Sequence, residues 1–221
     1  MTDSQSLSIV VPMYKEEDNA ARLVERVHQG MAEYEGYWEL VLVDDGSPDG
    51  TVKAIRQCQS EWGDHVRLIE LQRNFGQTAA MQAGIDAARG ELIVTMDGDL
   101  QNDPTDIPRM VAELLERDLD LLQGWRVNRQ DAAIKRKLPS KIANRLIAKM
   151  TGVHLHDYGC TLKAYRREVI TGFRLYGEMH RFIPVFAHSV GAKMLEVPVR
   201  HHARRFGEAK YGLERTVKVI L

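Results

Sequence analysis

Residues 92–101 read Leu-Ile-Val-Thr-Met-Asp-Gly-Asp-Leu-Gln, an apolar run of β-forming residues that ends in two carboxylates spaced two apart. Because residues i and i+2 of a strand point the same way, Asp97 and Asp99 are predicted to face one point at the strand's carboxyl end. Open parallel sheets bind ligands at that edge. Two carboxylates, with the amide oxygen of Gln101 two residues further on, suit Mg²⁺ or Mn²⁺ carrying a diphosphate. Asp-Gly-Asp alone is equally typical of an ordinary turn.

The segments around this stretch alternate between strand and helix patterns, which predicts an α/β fold with a mostly parallel central sheet flanked by helices. The predicted strands are Leu7–Val11, Leu40–Val43, Val66–Leu71, Leu92–Met96, Leu119–Leu122 and Met194–Val199. The predicted helices are Asp18–Tyr34, Thr51–Trp62, Thr78–Ala88, Ile107–Arg117, Ala132–Met150 with a break at Pro139, Glu168–Phe173, Arg181–Val190 and an amphipathic Tyr211–Leu221. We expect one domain over residues 1–221.

Charge divides the chain into two halves, although the net charge of the 221 residues is only -1. Residues 1–124 carry 10 Lys and Arg against 24 Asp and Glu, whereas residues 125–221 carry 20 against 7. Solvated helix faces are the plain explanation. An asymmetry this large favours an anionic partner for the second half, such as a phosphate, an anionic membrane surface or a nucleic acid.

Features of localisation and of other enzyme classes are absent from the sequence. Cys58 and Cys160 lie far apart, which is typical of a reducing compartment, and there is no signal peptide and no apolar run of about 20 residues. The apolar segment Val217–Leu221 lacks a helix-ending signal, which suggests a domain cut before its natural end; whether transmembrane helices follow stays open. The P-loop, the GxGxxG fingerprint and the GxSxG elbow are all missing.

Two further strand exits carry polar residues suited to a nucleotide. After the first strand, Pro12 is predicted to end the ladder because it has no N–H, Tyr14 can stack on a base, and Glu16 can accept hydrogen bonds from a base or ribose. An acid-rich helix start explains the same residues without a ligand. After the second strand, Asp45 is placed to reach the nucleotide, whereas Asp44 is an expected acceptor for loop N–H groups.

The strand exits resemble, in order and spacing, family 2 glycosyltransferases of the GT-A fold. The segments that carry the resemblance are VPMYKEEDN (11–19), LVLVDDGSPDGT (40–51), QRNFGQTAAMQAGIDAARGELIVTMDGDLQNDP (72–104), GWRVNR (124–129), HRFIPVFAHSVGAK (180–193) and VPVRHHARRFGEAKYGLERTVKVIL (197–221). The most similar group is the polyprenyl-phosphate glycosyltransferases, which include dolichyl-phosphate mannose synthase. The resemblance covers nearly the whole chain and says little about which sugar is used.

The resemblance implies an enzyme that moves a sugar from a nucleotide diphosphate-sugar to a polyprenyl phosphate, with inversion, on the cytoplasmic face of a membrane. The implied nucleotide ligands are Pro12, Tyr14, Glu16, Asp45 and Asp97, and the implied ligands of Mg²⁺ or Mn²⁺ are Asp97, Asp99 and Gln101. The implied catalytic residues are Asp99, Arg126 and Asp157. The implied contacts of the acceptor phosphate are Arg126, Arg136, Ser140, Arg204, Arg205 and Lys210. The acidic half then holds nucleotide and metal, and the basic half faces acceptor and membrane.

Several alternatives stay open at this point. A hydroxyl acceptor on the same fold needs a general base, for which Asp157 is the candidate; Asp157 could equally be a structural cap. A nucleotide-sugar-binding domain without catalysis is a second alternative, and a basic nucleic-acid module is disfavoured because RNA-binding aromatic motifs are absent. The pairs His154/His156 and His201/His202 lack other ligands at zinc spacing, which indicates structural or surface roles. Self-association is not decided by the sequence.

Overall fold

A computed structural model of the protein describes residues 5–127, 148–149 and 151–203. The strands of this part of the chain are β1 Leu7–Met13, β2 Trp38–Asp44, β3 Val66–Glu70, β4 Leu92–Thr95, β5 Leu121–Trp125, β6 Lys163–Arg166 and β7 Met194–Pro198. The helices are α1 Glu17–Met31, α2 Thr51–Trp62, α3 Gln77–Ala87, α4 Ile107–Glu116, α5 Arg167–Thr171 and α6 Ile183–Ser189, with 3₁₀ turns at Pro104–Asp106 and Met179–Arg181.

The strands of the described residues form one seven-stranded sheet in the order β3-β2-β1-β4-β6-β5-β7. Every neighbouring pair is parallel except the two that involve β6, which runs antiparallel to both β4 and β5. Six strands therefore end at the same edge, and the amino end of β6 lies there as well. This topology delivers seven chain segments to one edge of the sheet.

Two apolar layers cover the sheet, because successive side chains of a strand point to opposite faces. On one face Leu7, Ile9 and Val11 pack with buried residues of α1, α2 and α4. On the other face Val10 packs with buried residues of α3, α5 and α6. The α/β class and the mostly parallel sheet flanked by helices are thus confirmed.

Two predictions about strands were wrong. No strand was predicted at β6, whose four residues include a lysine and an arginine. Pro12 was expected to end the first strand, yet β1 continues to Met13 and Pro12 pairs with Val43. The N–H of Pro12 is not needed, because the pairing of β1 with β4 stops at Val10 and the backbone of residue 12 points to that same side.

Other differences concern boundaries. The fifth strand is Leu121–Trp125 rather than Leu119–Leu122, so Arg126 follows it directly. Most of the predicted helix Ala132–Met150 and all of Tyr211–Leu221 lie outside the described residues. Within the described ranges, no helix has both the length and the apolar character needed to span a bilayer.

Candidate active site

The turn that follows β4 carries the two carboxylates singled out in the sequence. The strand ends at Thr95, so Asp97 and Asp99 lie in a turn in which Leu100 takes the left-handed conformation, with φ of 61°. Asp99 Oδ1 accepts a hydrogen bond from the backbone N–H of Gln101 at 3.2 Å. Asp97 and Asp99 were predicted to share one face of a strand. They come together because of this turn instead, since the strand ends before both of them.

Asp97 is partly buried and lies beside a second carboxylate. Burial, and then the charge of Asp99, raise the pKa of Asp97 to about 6, although the Thr161 hydroxyl and the charges of Arg126 and Lys163 oppose this rise. Gln77, at the start of α3, donates from Nε2 to Asp97 Oδ1 at 2.7 Å. A pKa near 6 means that the Asp97 proton is easily lost near neutral pH and that a cation would favour its loss.

The loop after β1 holds Tyr14 and Glu16 at the same edge. Lys15 between them is left-handed, with φ of 55°, and its N–H donates to Ser47 Oγ at 3.0 Å. Glu16 accepts from Asn19 Nδ2 at 2.5 Å, and its backbone N–H donates to Thr51 Oγ1 at 2.9 Å. Side chains of the β2–α2 loop and of the first residue of α2 therefore fix the segment in which both predicted nucleotide ligands lie.

The carboxylate of Asp45 anchors the neighbouring loop. It is buried, and its two oxygens accept from the backbone N–H groups of Phe75 at 2.8 Å and Gly76 at 2.9 Å. Burial raises the pKa of Asp45, and these two hydrogen bonds oppose that rise. Gly46 has φ of 66°, and a Cβ there would collide with the Arg73 backbone. The two loops are therefore in direct contact, and Asp45 holds them together.

An arginine–aspartate pair lies where β5 ends. Arg126 donates to Asp157 from Nε at 2.7 Å and from Nη2 at 3.0 Å, a bidentate arrangement in which the two side chains are 12% and 10% exposed. Asp157 also accepts from the backbone N–H groups of Arg126 and Gly159. The hydrogen bonds and charge of Asp157 outweigh burial and raise the pKa of Arg126. Arg126 therefore stays cationic, and Asp157 is fully engaged in holding it.

A buried lysine that sequence reasoning missed lies beneath this pair. Lys163, on β6, is aligned with Thr95 on one side and Gln123 on the other. Its ammonium donates to the Cys160 carbonyl, which also accepts from Gln123 Nε2 at 3.2 Å. Burial lowers the pKa of Lys163 to about 8. No clear signal in the sequence marked Lys163, because the strand that carries it has only four residues, two of them charged, and went unpredicted.

The segment that leaves β7 reaches the carboxylate turn. His202 N–H donates to the Gln101 carbonyl at 2.8 Å, and Gln101 Nε2 donates to the His202 carbonyl at 3.3 Å. The His202 ring contacts Asp103 at 2.8 Å, which agrees with the structural role predicted for it.

His156 stacks on Trp125 with ring centres 4.2 Å apart and contacts Glu196.

Five of the predicted acceptor contacts are not described by the structure. Arg136, Ser140, Arg204, Arg205 and Lys210 all lie outside the described residues. Of the predicted acceptor set, only Arg126 is placed. It lies near the carboxylate turn, as its effect on the pKa of Asp97 shows.

The donor atoms of the carboxylate turn fit a hard divalent cation. Asp97, Asp99 and Gln101 offer only oxygen ligands, the type that Mg²⁺ and Mn²⁺ prefer. In the part of the chain that the structure describes, no group of three or more His, Cys, Asp or Glu side chains could hold a metal ion. A cation at this turn would therefore take further ligands from a diphosphate or from water.

Comparison with known proteins identifies the family of this chain. The family model described as glycosyl transferase family 2 matches residues 8–173. The chain belongs to glycosyl transferase family 2. The resemblance noted in the sequence is thereby confirmed, and the match covers the first four strand exits together with Arg126 and Asp157.

Two curated proteins are similar to this chain over nearly its whole length. Dodecaprenyl-phosphate galacturonate synthase from Rhizobium johnstonii is 57% identical over 220 residues, which cover 99% of this chain and 65% of that protein. Undecaprenyl-phosphate 4-deoxy-4-formamido-L-arabinose transferase from Aeromonas hydrophila is 40% identical over 219 residues, which cover 99% of this chain and 67% of that protein. The chain thus spans about two thirds of the length of these relatives.

Solved structures share the fold. A mannosyltransferase from Pyrobaculum calidifontis, in complex with GDP-mannose and Mn²⁺, has a TM-score of 0.69 at 19% identity and covers 94% of this chain and 59% of that one. Glucosyl-3-phosphoglycerate synthase from Mycobacterium tuberculosis, in complex with Mn²⁺, UDP and glucosyl-3-phosphoglycerate, has a TM-score of 0.66 at 20% identity and covers 91% of this chain and 73% of that one. The expected fold of family 2 is therefore confirmed.

Proposed function

We propose that this protein transfers a sugar from a nucleotide diphosphate-sugar to a polyprenyl phosphate, with inversion and with Mg²⁺ or Mn²⁺ as cofactor. The observation that carries the proposal is the Arg126–Asp157 pair beside the carboxylate turn. A phosphate monoester acceptor has a second pKa of about 6 and needs little help from a base. It needs a fixed cation instead, which Arg126 supplies. Polyprenyl-phosphate transferases among the relatives support the same acceptor.

The contacts of Asp157 disfavour a hydroxyl acceptor. Such an acceptor must lose a proton to a base within hydrogen-bond reach. Asp157 was the candidate, but its oxygens accept from three groups of Arg126 and from the backbone of Gly159. We assign Asp157 the task of orienting Arg126, and no proton transfer.

The proposed chemistry is a single displacement, which inverts the anomeric centre. Tyr14, Glu16 and the loop held by Asp45 bind the nucleotide. Asp97, Asp99 and Gln101 hold the divalent cation, which when bound neutralises charge on the leaving diphosphate. The bidentate pair uses two of the five N–H donors of Arg126, and the remaining donors orient the acceptor phosphate. Bringing two anionic substrates together in one orientation supplies most of the rate.

The donor sugar and the membrane surface are finer parts of the proposal. Higher identity with a galacturonate synthase than with a formamido-arabinose transferase favours galacturonic acid as the first sugar to test. The excess of basic residues over 125–221, 20 against 7 acidic, suits the cytoplasmic face of an anionic membrane. Co-sedimentation with anionic and with neutral vesicles tests this part; equal binding to both contradicts it.

Steady-state kinetics of Arg126→Lys test the assignment of the acceptor site. Lysine keeps the charge and loses the bidentate geometry, so we expect kcat/KM for a short-chain polyprenyl phosphate to fall by about tenfold to a hundredfold, the loss of one or two charge-assisted hydrogen bonds. The donor KM should stay within about twofold. The control is Arg174→Ala, which removes an exposed arginine paired with Asp86. A collapse of donor binding with unchanged acceptor kinetics contradicts the assignment.

A further inference from the structure

The chain beyond β7 forms a second support for the carboxylate turn. β7 pairs with β5 as far as Pro198, opposite Trp125, and Val199 then donates to the Trp125 carbonyl at 2.9 Å. After this point the chain turns alongside residues 101–103 and makes an isolated antiparallel bridge between His201 and Asn102. A segment about a hundred residues away in sequence therefore borders the turn.

Two side-chain contacts fasten this segment to acids that follow the turn. Arg200 donates to Asp106 Oδ1 from Nη2 at 3.1 Å and from Nε at 3.2 Å, and its backbone N–H donates to Asp106 Oδ2 at 2.7 Å. The His202 ring lies 2.8 Å from Asp103. Burial alone raises the pKa of Asp103, but hydrogen bonds from Thr105 and His202 and the charge of Arg200 lower it to about 2. The carboxylates of Asp103 and Asp106 therefore hold this segment through His202 and Arg200.

The same segment fixes the side-chain amide of Gln101. Gln101 Nε2 donates to the His202 carbonyl, so Oε1, the oxygen of the same amide, points away from His202. The segment after β7 thus sets which way the Gln101 oxygen faces. The turn needs such support, since Leu100 holds a left-handed conformation, which is strained for an L-residue. Arg26 adds a hydrogen bond to the Leu100 carbonyl at 3.2 Å.

We infer that Arg200 is a positioning residue for the divalent cation: through its contacts with Asp106 it holds the His202 backbone against Gln101 and so sets the orientation of the Gln101 amide. This inference rests on the metal site of the proposed function. Arg200 touches neither cation nor substrate. Supporting contacts of this kind commonly change metal affinity by about tenfold to a hundredfold when they are removed.

The sign of the effect separates this role from simple electrostatics. Removing a cationic side chain near a metal site makes the site more negative and tightens the binding of a divalent cation. Loss of positioning weakens it. Arg200→Ala therefore has opposite consequences under the two explanations.

The experiment measures Mn²⁺ affinity directly by electron paramagnetic resonance, with UDP or GDP present and no turnover. We expect Arg200→Ala to weaken Mn²⁺ about tenfold and Arg200→Lys to restore part of the loss. The matched control is Arg56→Ala. Arg56 is paired with a carboxylate, Glu70, and its side chain is 64% exposed, which is close to the 58% of Arg200. In a Gln101→Ala background, Arg200→Ala should have no further effect, since the segment acts through that side chain.

The outcomes are distinguishable. Unchanged or tighter Mn²⁺ binding by Arg200→Ala overturns the positioning role while leaving the metal site intact, as does an equal loss in the Gln101→Ala background. Absence of Mn²⁺ binding by the wild-type protein with either nucleotide overturns the metal site itself, and with it this inference. Thermal unfolding is measured for each variant beside Arg56→Ala, and a loss of Mn²⁺ affinity that accompanies a lowered melting temperature and that Arg200→Lys does not restore in part also overturns the positioning role.

Discussion

Removal of the Asp157 carboxylate should strongly destabilise the protein. Asp157→Ala leaves the Arg126 guanidinium, which is 12% exposed, without the partner that accepts from it at 2.7 and 3.0 Å. Breaking a buried pair in this way costs about 3–5 kcal/mol, compared with a total of about 5–15 kcal/mol for a typical domain. With an m-value of about 2 kcal/mol/M, the midpoint of urea unfolding should fall by about 2 M.

Two comparison variants make this measurement specific. Glu70→Ala removes an exposed pair with Arg56, whose N–O distance is 2.6 Å, and should cost less than about 1 kcal/mol. The double variant Arg126→Met/Asp157→Leu removes both charges and should regain much of the lost stability. An Asp157→Ala variant no less stable than Glu70→Ala would refute the reasoning, as would a double variant no more stable than Asp157→Ala. Either result would return Asp157 to consideration as a base.

Three further predictions follow from the described contacts. Asp97 has a pKa of about 6 and must be ionised to bind a cation, so half of it is protonated at pH 6. Mn²⁺ affinity measured by calorimetry should therefore be flat above about pH 7 and fall by up to about tenfold per pH unit below pH 6, and a flat profile down to pH 5 contradicts the role of Asp97. Gly46→Ala should lower the free energy of unfolding by more than about 1 kcal/mol and weaken UDP or GDP binding, because its left-handed backbone and a clash with the next loop oppose a side chain; unaltered stability and affinity argue against this. His28 Nε2 and His65 Nε2 lie 2.7 Å apart, and burial and then His28 lower the pKa of His65 in the folded protein. The free energy of unfolding present at pH 7.5 should therefore begin to fall as the pH drops below about 6.5, the value in the unfolded chain, and continue to fall towards the lower pKa of the folded protein. His65→Gln should reduce that loss in urea unfolding, and an identical pH dependence in the variant counts against the pair.

The placement of the first four strand ends at one edge could be predicted from sequence, because parallel strands all end at the same edge of a sheet. The turn with Asp97 and Asp99 is where it was expected, and so is the loop that Asp45 holds. What the sequence could not show is which partner each carboxylate has. The Asp45 oxygens are taken by two backbone N–H groups of the following loop, a contact that depends on tertiary approach and leaves no local signature.

The far side of the site was predicted less well for a physical reason. β6 is short, antiparallel and carries a buried lysine, so neither apolar alternation nor helical periodicity marks it. Without β6, neither Lys163 nor the route of β7 to the turn can be inferred. Nothing in the sequence distinguishes Arg200 from the other basic residues around it, because its contact with Asp106 forms only in the folded protein.

Sugar transfer to polyprenyl phosphate, set against polyprenol of the same chain length, tests the central claim most directly. The protein is incubated with Mn²⁺ and labelled donors, UDP-galacturonic acid first, and the labelled lipid is extracted and counted for the wild type and Asp99→Ala. We expect labelling of the phosphate acceptor alone, and its loss in Asp99→Ala with the fold preserved by circular dichroism. Equal labelling of polyprenol, or transfer by Asp99→Ala at the wild-type rate, would contradict the account.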